Sequence, residues 1–191
     1  MPRAPATGGV GHVRTRTSRQ SAGAQGDRLP DGPDHDARLS AALASVVSGA
    51  RRRALRDGDR HIDTAHLLHS LLESDPGARA ALGDDPRPAR LLGYLVQRSI
   101  GYGLRWQGTV EDSGAGPAVP GPAGLSPVAA AAVAYACARA ARRGRVRADG
   151  VDLLAALVTD PRSRAAEVLD RAGIDPGEVL ARADGQAGPA L

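Results

Sequence analysis

The chain has no lysine, no asparagine and no phenylalanine among its 191 residues, and aromatic residues make up only 2% of it. All 25 basic side chains are therefore arginine. This pattern fits the codon bias of a GC-rich genome, so arginine abundance alone carries little functional meaning. Without lysine there is no GxxxxGK[ST] motif, whose lysine reaches the β- and γ-phosphates, and P-loop ATP hydrolysis is excluded. HExxH and GxSxG are missing too, which leaves no signal for a peptidase or serine hydrolase. Cys137 is the single cysteine, so no intrachain disulfide can form and an intracellular protein is expected. The longest apolar run, PVAAAAVAYACA (127–138), is too short and too alanine-rich to span a bilayer. The opening MPRAPATGGVGHVRTRTSRQ has no apolar stretch of the kind a secretory signal needs, and a cytoplasmic location is expected. With so few aromatics, the core has to come from alanine, leucine and valine, which suits close-packed helices better than sheets.

Residues 1–37 are rich in Gly, Pro, Arg, Asp and Ser without apolar periodicity and read as a disordered tail. Arg14, Arg16 and Arg19 could touch an acidic partner there, although a solvated tail explains them as well. Helical spacing begins near Leu39. Leu43, Val46, Val47, Ala50 and Ala54 share one face, and Arg51, Arg52, Arg53 and Arg56 take the other. The arginine run could be a phosphate patch, but a solvated helix face is the simpler reading. Gly58 fits the residue just past a helix end. Asp63 or Thr64 can cap a second helix, with Leu67, Leu68, Leu71 and Leu72 as its buried stripe. SDPGARAAL (74–82) predicts a turn and short helix, and PRPARLLGYLVQRS (86–99) predicts another. GTVEDSGAGPAVPGPAG (108–124) reads as a Gly/Pro linker. Ser126-Pro127 starts a helix predicted to stop at Gly144, and Asp149 caps the next. SRAAEVLDRAG and DPGEVLARA predict two more helices, ahead of a flexible tail at 184–191.

A shift of 86 positions lays Ser40 on Ser126, Ala54 on Ala140, Gly58 on Gly144, Leu67 on Leu153, Leu68 on Leu154 and Leu71 on Leu157. The order of parts is also shared, which marks an internal duplication of a four-helix unit. The expected fold is all-α: two tandem repeats, 38–107 and 125–183, in an eight-helix pseudo-twofold domain.

ALRDGDRHIDTAHLLHSLL (54–72), LSPVA (125–129) and AAEVLDRAGIDPGEVLARA (165–183) carry a resemblance to the N-terminal double-repeat domain of the Clp unfoldases ClpA, ClpB and ClpC. The resemblance spans about residues 38–183. It implies a stand-alone N-domain without the motor: a non-catalytic protein- or peptide-binding module, with Clp subunits or adaptors as partners and no cofactor. It further implies contact at Leu39, Ser40, Leu125 and Ser126, the starts of the two repeats, where the family places an aromatic residue and a threonine.

Three of the five histidines fall in GDRHIDTAHLLHSLL (58–72). His66 takes the place of the histidine in the family's Gly-Thr-Glu-His motif, which implies a packing and hydrogen-bonding role. His66 and His69 could share a metal, but no cysteine is near and the second repeat has Val151-Asp152 at that position, so no metal site is expected. ClpC-type N-domains hold phosphoarginine through the glutamate of that motif. Here the two glutamate positions carry Ala65 and Val151, so the resemblance implies negligible phosphoarginine binding. Cys137, among alanines, reads as a small buried hydrophobe. A different class of function, an arginine-rich helical nucleic-acid binder, rests on Arg51–Arg53 and on Arg139, Arg142, Arg143, Arg145 and Arg147. The near balance of charge, net +4, and the scarcity of stacking aromatics argue against it.

Overall fold

A computed structural model of the chain describes residues 37–83, 86–99, 111 and 124–186. The rest of the expected N-terminal tail, of the linker and of the final tail lies outside the described residues. Within them are eight helices and no strand: α1 (Ala41–Asp57), α2 (Thr64–Ser74), α3 (Pro76–Leu82), α4 (Arg87–Ser99), α5 (Pro127–Arg142), α6 (Gly150–Leu157), α7 (Arg164–Arg171) and α8 (Pro176–Gln186).

Local chemistry sets the helix ends. Ser40 and Ser126 accept the N–H groups of Leu43 and Ala129, each at 3.1 Å, and so cap α1 and α5. Asp63 and Asp149 cap α2 and α6 in the same way. Gly58 closes α1 in the left-handed region, φ 75°, where a side chain would be strained. α5 ends at Arg142 with Arg143 as its C-cap, just before the expected stop at Gly144, which takes φ 72°. The last helix runs past residue 183 to Gln186. Its extension is held by Asp184, which accepts from Arg139 at 2.7 Å and from Arg143 at 2.6 Å.

The packing is reciprocal. α1 lies on α2 as α5 lies on α6; α2 meets α7 as α6 meets α3; α4 meets α7 as α8 meets α3. The central α2 and α6 touch each other. Leu67, Leu68, Leu71, Leu153, Leu154 and Leu157 on these two helices are fully buried in one continuous core. Truncating any of these leucines to alanine would cost roughly 2–5 kcal/mol. Small residues on α1 and α5 (Ala50, Ala54, Ala136, Ala140) are also fully buried, as expected where aromatics are lacking.

Two isolated parallel bridges stitch the repeats: Leu39 with Ala148, and Ile62 with Leu125. Ser40 N–H donates to Ala148 C=O and Ala148 N–H to Arg38 C=O, both at 2.9 Å. Ser126 N–H donates to Ile62 C=O at 2.9 Å and Ile62 N–H to Gly124 C=O at 3.0 Å. Each residue of the first bridge is 86 positions from its mate in the second. The chain is therefore a pseudo-twofold pair of four-helix repeats, as the sequence predicts.

Candidate functional site

The four residues expected to contact a partner all sit on this seam. The Leu39 side chain is buried at 5% exposure, while Leu125 is half-buried against the core. Ser126 is buried and Ser40 half-buried, and both hydroxyls accept from a helix N–H. The four thus occupy symmetric places at the two bridges, and a groove lies on the second repeat, its α5 lining beginning at Val128.

That groove, of about 330 Å³, runs between α5 and the end of α6. Val128, Ala131, Ala132, Tyr135, Ala156 and Pro161 make its apolar lining, and Thr64 closes the seam end. Tyr135 is 37% exposed, and the Arg142 guanidinium lies over its ring, 5.4 Å from the centroid. Asp160 and Arg162 line the groove as well.

A second groove, of about 350 Å³, occupies the equivalent place on the first repeat. Ser45, Gly49, Ser70, Glu73 and Ser74 stand where the first groove has Ala131, Tyr135, Ala156, Thr159 and Asp160. Arg52, Arg53 and Arg56 complete its lining. The same architecture therefore presents an apolar trough in one repeat and a cationic one in the other.

Between α1 and α2 lies a polar cluster built on a capping box. Asp63 Oδ1 accepts from the His66 N–H at 2.8 Å, and the Asp63 N–H donates to His66 Nδ1 at 3.2 Å. His66 Nε2 faces Asp59 Oδ2 at 3.2 Å and Asp57 Oδ2 at 3.6 Å. Burial opposes a charge on His66, but the carboxylates of Asp59 and Asp63 overcome it and raise its pKa to about 9. An imidazolium would donate from Nδ1 to Asp63 Oδ1, 2.8 Å away, and would give up the contact with the Asp63 N–H. Three carboxylates around one ring favour that charged form. Asp63 also pairs with Arg164 at 2.5 Å. Burial would raise its pKa, yet His66 and Arg164 hold it well below the carboxylate range.

Asp59, Asp63 and His66 offer ligand atoms within 4.8 Å of one another, which is a spacing a cation could use. Asp63, however, already serves a helix N–H and Arg164, so its oxygens are committed to the fold. His69, one turn further along α2, faces Glu73 at 3.4 Å. Burial and the nearby Arg53 lower its pKa to about 4, so it is neutral. No nucleophile is paired with either histidine among the described residues. Cys137 is buried, and that burial raises its pKa.

In the second repeat the ion-pair site is inverted. Arg145 occupies the position of Asp59, and Asp152 that of His66. Both Asp152 oxygens lie 2.6 Å from Arg145 Nη2. Arg139 Nη1 donates to Asp152 at 2.5 Å and Nη2 to the Ala183 C=O at 3.1 Å.

Glu111 carries no signature in the sequence. It lies inside the expected linker, yet it is buried and accepts from the Thr64 N–H at 3.1 Å and from the Thr64 hydroxyl. Burial and the neighbouring Asp63 raise its pKa. Among the described residues no helix is long and apolar enough to cross a membrane.

No family model matches the chain, and no curated protein sequence matches it. Solved structures do. The N-terminal domain of Hsp104 from Candida albicans is 11% identical at a TM-score of 0.60, covering 80% of this chain and 93% of that one. The N-terminal domain of the caseinolytic-protease-associated chaperone ClpD from Arabidopsis thaliana is 16% identical at 0.60, covering 78% and 94%. A chain from a structural study of a malarial protein secretion system is 17% identical at 0.59, covering 81% and 97%. At these identities the likeness concerns the fold: the chain folds as a Clp/Hsp104 N-terminal domain.

Proposed function

We propose that this chain is a non-catalytic docking module that captures a protein or peptide segment and modulates a Clp protease or chaperone machine in the cytoplasm, as adaptor, competitor or ligand sponge. The observation that carries this reading is the apolar groove between α5 and α6, which opens beside the inter-repeat seam. Its size and lining suit an apolar peptide segment or one face of a partner helix. Leu125 and Ser126, at the start of α5, are proposed to extend the contact beyond the groove, with Leu39 and Ser40 at the matching junction of the first repeat. The fold adds support, since Clp N-domains are docking domains rather than motors. Phosphoarginine is not the ligand in this reading, because Ala65 and Val151 offer no carboxylate to a guanidinium.

The test is a reconstituted Clp unfoldase–protease reaction on an adaptor-dependent substrate, with the purified chain titrated in. A dose-dependent change in degradation rate is expected, and Tyr135→Asp, which places a charge in the groove, should abolish it. An unchanged rate at saturating chain would overturn the reading. Calorimetry with phosphoarginine should show no heat of binding; micromolar affinity would mean that the ligand chemistry is wrong.

A further inference from the structure

The cationic groove of the first repeat shares two arginine positions with the other repeat, Arg53 and Arg56 matching Arg139 and Arg142, and gains Arg52 where that repeat has Ala138. Its counterpart in the second repeat shows that the same helix pair closes with Ala131, Tyr135 and Ala156 in place of Ser45, Gly49 and Ser70. At the centre of the groove, Gly49 removes the side chain that Tyr135 supplies in the other repeat. A Cβ there would stand only 3.0 Å from Ser70 Oγ, so Ser70 packs close against the glycine and its hydroxyl forms the floor of the groove at that point. Ser70 Oγ accepts from Arg53 Nε at 3.3 Å.

Three guanidinium groups line this small volume against a single carboxylate, Glu73. Glu73 is itself informative. It is half exposed, and it sits on Arg53 Nη2 with its other oxygen toward His69. The groove already accommodates one carboxylate by an arginine contact. Arg52 has no ion pair among the described residues, and its guanidinium lies 3.7 Å from the Gly49 Cβ position. Arg56 is well exposed and, among the described residues, pairs with its neighbour Asp57, at 3.6 Å. The local field is positive enough that Arg53 and Arg56 both help to keep the buried His69 uncharged. No aromatic ring lines the groove, so it has no platform on which a nucleobase could stack.

We propose that this groove docks an acidic segment of a partner protein, whose carboxylates engage Arg52 and Arg56 as Glu73 engages Arg53. The pairing uses the guanidinium fork, which matches a carboxylate in one plane. The inference rests on the docking reading above and adds partner chemistry to it: an acidic stretch on the first repeat, distinct from the apolar contact on the second.

The full-length chain is titrated with a fluorescein-labelled, acetylated hexaglutamate peptide, with hexaglutamine as the uncharged control. Hexaglutamate is expected to bind, more weakly as salt rises, and hexaglutamine is not. Arg52→Glu with Arg56→Glu should weaken hexaglutamate binding by about tenfold or more. Both positions are exposed on α1, so thermal melting should be little altered. Ser45→Glu plants an internal competitor at the groove and should weaken binding in the same direction. Hexaglutamate affinity unaffected by these variants overturns the proposal. So does random-sequence duplex DNA that binds more tightly than the peptide and is lost in the same double variant. In the degradation assay, Arg52→Glu with Arg56→Glu should keep the Tyr135-dependent effect. A parent chain that does not bind hexaglutamate yet shows the Tyr135-dependent effect therefore removes this inference alone.

Discussion

Asp59 and Arg145 stand at the same place in the two repeats and carry opposite charges. Their partners are exchanged with them: Asp59 faces His66 at 3.2 Å, and Arg145 faces Asp152 at 2.6 Å. The junction between the long helix and the next helix thus requires an ion pair but not a particular sign. The shared capping box explains why. Asp63 and Asp149 bind the third N–H of their helices identically, and the side chain at that third position can be His or Asp, provided the loop before the helix supplies the opposite charge.

The first prediction concerns pH. His66 has a folded pKa near 9, above its ordinary 6.5. Its contribution is complete below pH 6.5 and disappears as pH rises toward 9; by linkage it is on the order of 3 kcal/mol. His69, near 4, lies on the other side. The unfolded chain takes up a proton that the folded chain refuses, so stability falls as pH drops from 6.5 toward 4. Stability should therefore peak near neutrality and fall on both flanks. Asp63 deepens the acid flank, since its depressed pKa gives stability that is lost on protonation. Urea midpoints across this range, with NMR titration of the two imidazoles, check the assignment. A His66 that titrates near 6.5 would remove the alkaline flank.

Arg139 provides the second. It is buried and has its guanidinium divided among Asp152, Asp184 and the Ala183 carbonyl. Arg139→Ala removes one of the two guanidinium partners of the buried Asp152, which keeps Arg145, and should cost about 1–3 kcal/mol. Arg139→Ala with Asp152→Ala should recover part of this, because Arg145 alone then loses a partner. Chemical denaturation of the two variants decides; equal losses would mean that the pair is not coupled.

Much of this was legible from sequence because cap chemistry is local. Asp63, Ser126-Pro127 and Asp149 act on N–H groups within three residues, and Gly58 acts at its own φ. The 86-residue offset was legible because matched apolar stripes repeat with it. What stayed hidden depends on contacts across the seam. Nothing in a Gly/Pro-rich stretch marks Glu111 as the acceptor for Thr64, 47 positions away. The 86-residue offset pairs Gly49 with Tyr135, but helical periodicity does not show that each lines a groove. Leu39 and Leu125 look alike in sequence, yet only the structure shows that one is buried and the other half-buried.

Glu111 yields the third prediction. Glu111→Ala leaves the buried Thr64 N–H without its acceptor and should cost roughly 1–3 kcal/mol. Glu111→Gln keeps one oxygen acceptor and removes a carboxylate whose charge is disfavoured beside Asp63, so its loss should be smaller. Glu111 also runs against Asp63 in pH dependence: its raised pKa removes stability as pH rises through the carboxylate range. Melting temperatures of the two variants at neutral pH give the comparison. An alanine variant as stable as the parent would mean that this contact does not hold the fold.

The fourth prediction uses a difference in size across the pseudo-twofold. Gly150 opens α6 at the place where Thr64 opens α2. A Cβ on Gly150 would fall 1.9 Å from Asp75 Oδ2 and 3.0 Å from Leu71 Cδ1. Asp75 occupies that space because it caps α3, accepting from the Ala78 N–H at 2.8 Å. On the other side the cap of α7 is the shorter Ser163, which accepts from Ala166 at 3.1 Å. The room so released is taken by Thr64, whose hydroxyl accepts from the Ala165 N–H at 3.0 Å. Glycine with aspartate and threonine with serine are thus two solutions to one packing problem. Gly150→Ala alone must expel the Asp75 carboxylate from its cap, and it should cost about 1–3 kcal/mol through overpacking and a lost N-cap. Gly150→Thr should cost more. Gly150→Thr combined with Asp75→Ser copies the other junction and should restore most of the stability, leaving a coupling energy of about 1 kcal/mol or more between the two sites. A double-mutant cycle by urea denaturation measures that term, and additive losses would show that the two junctions are not interchangeable.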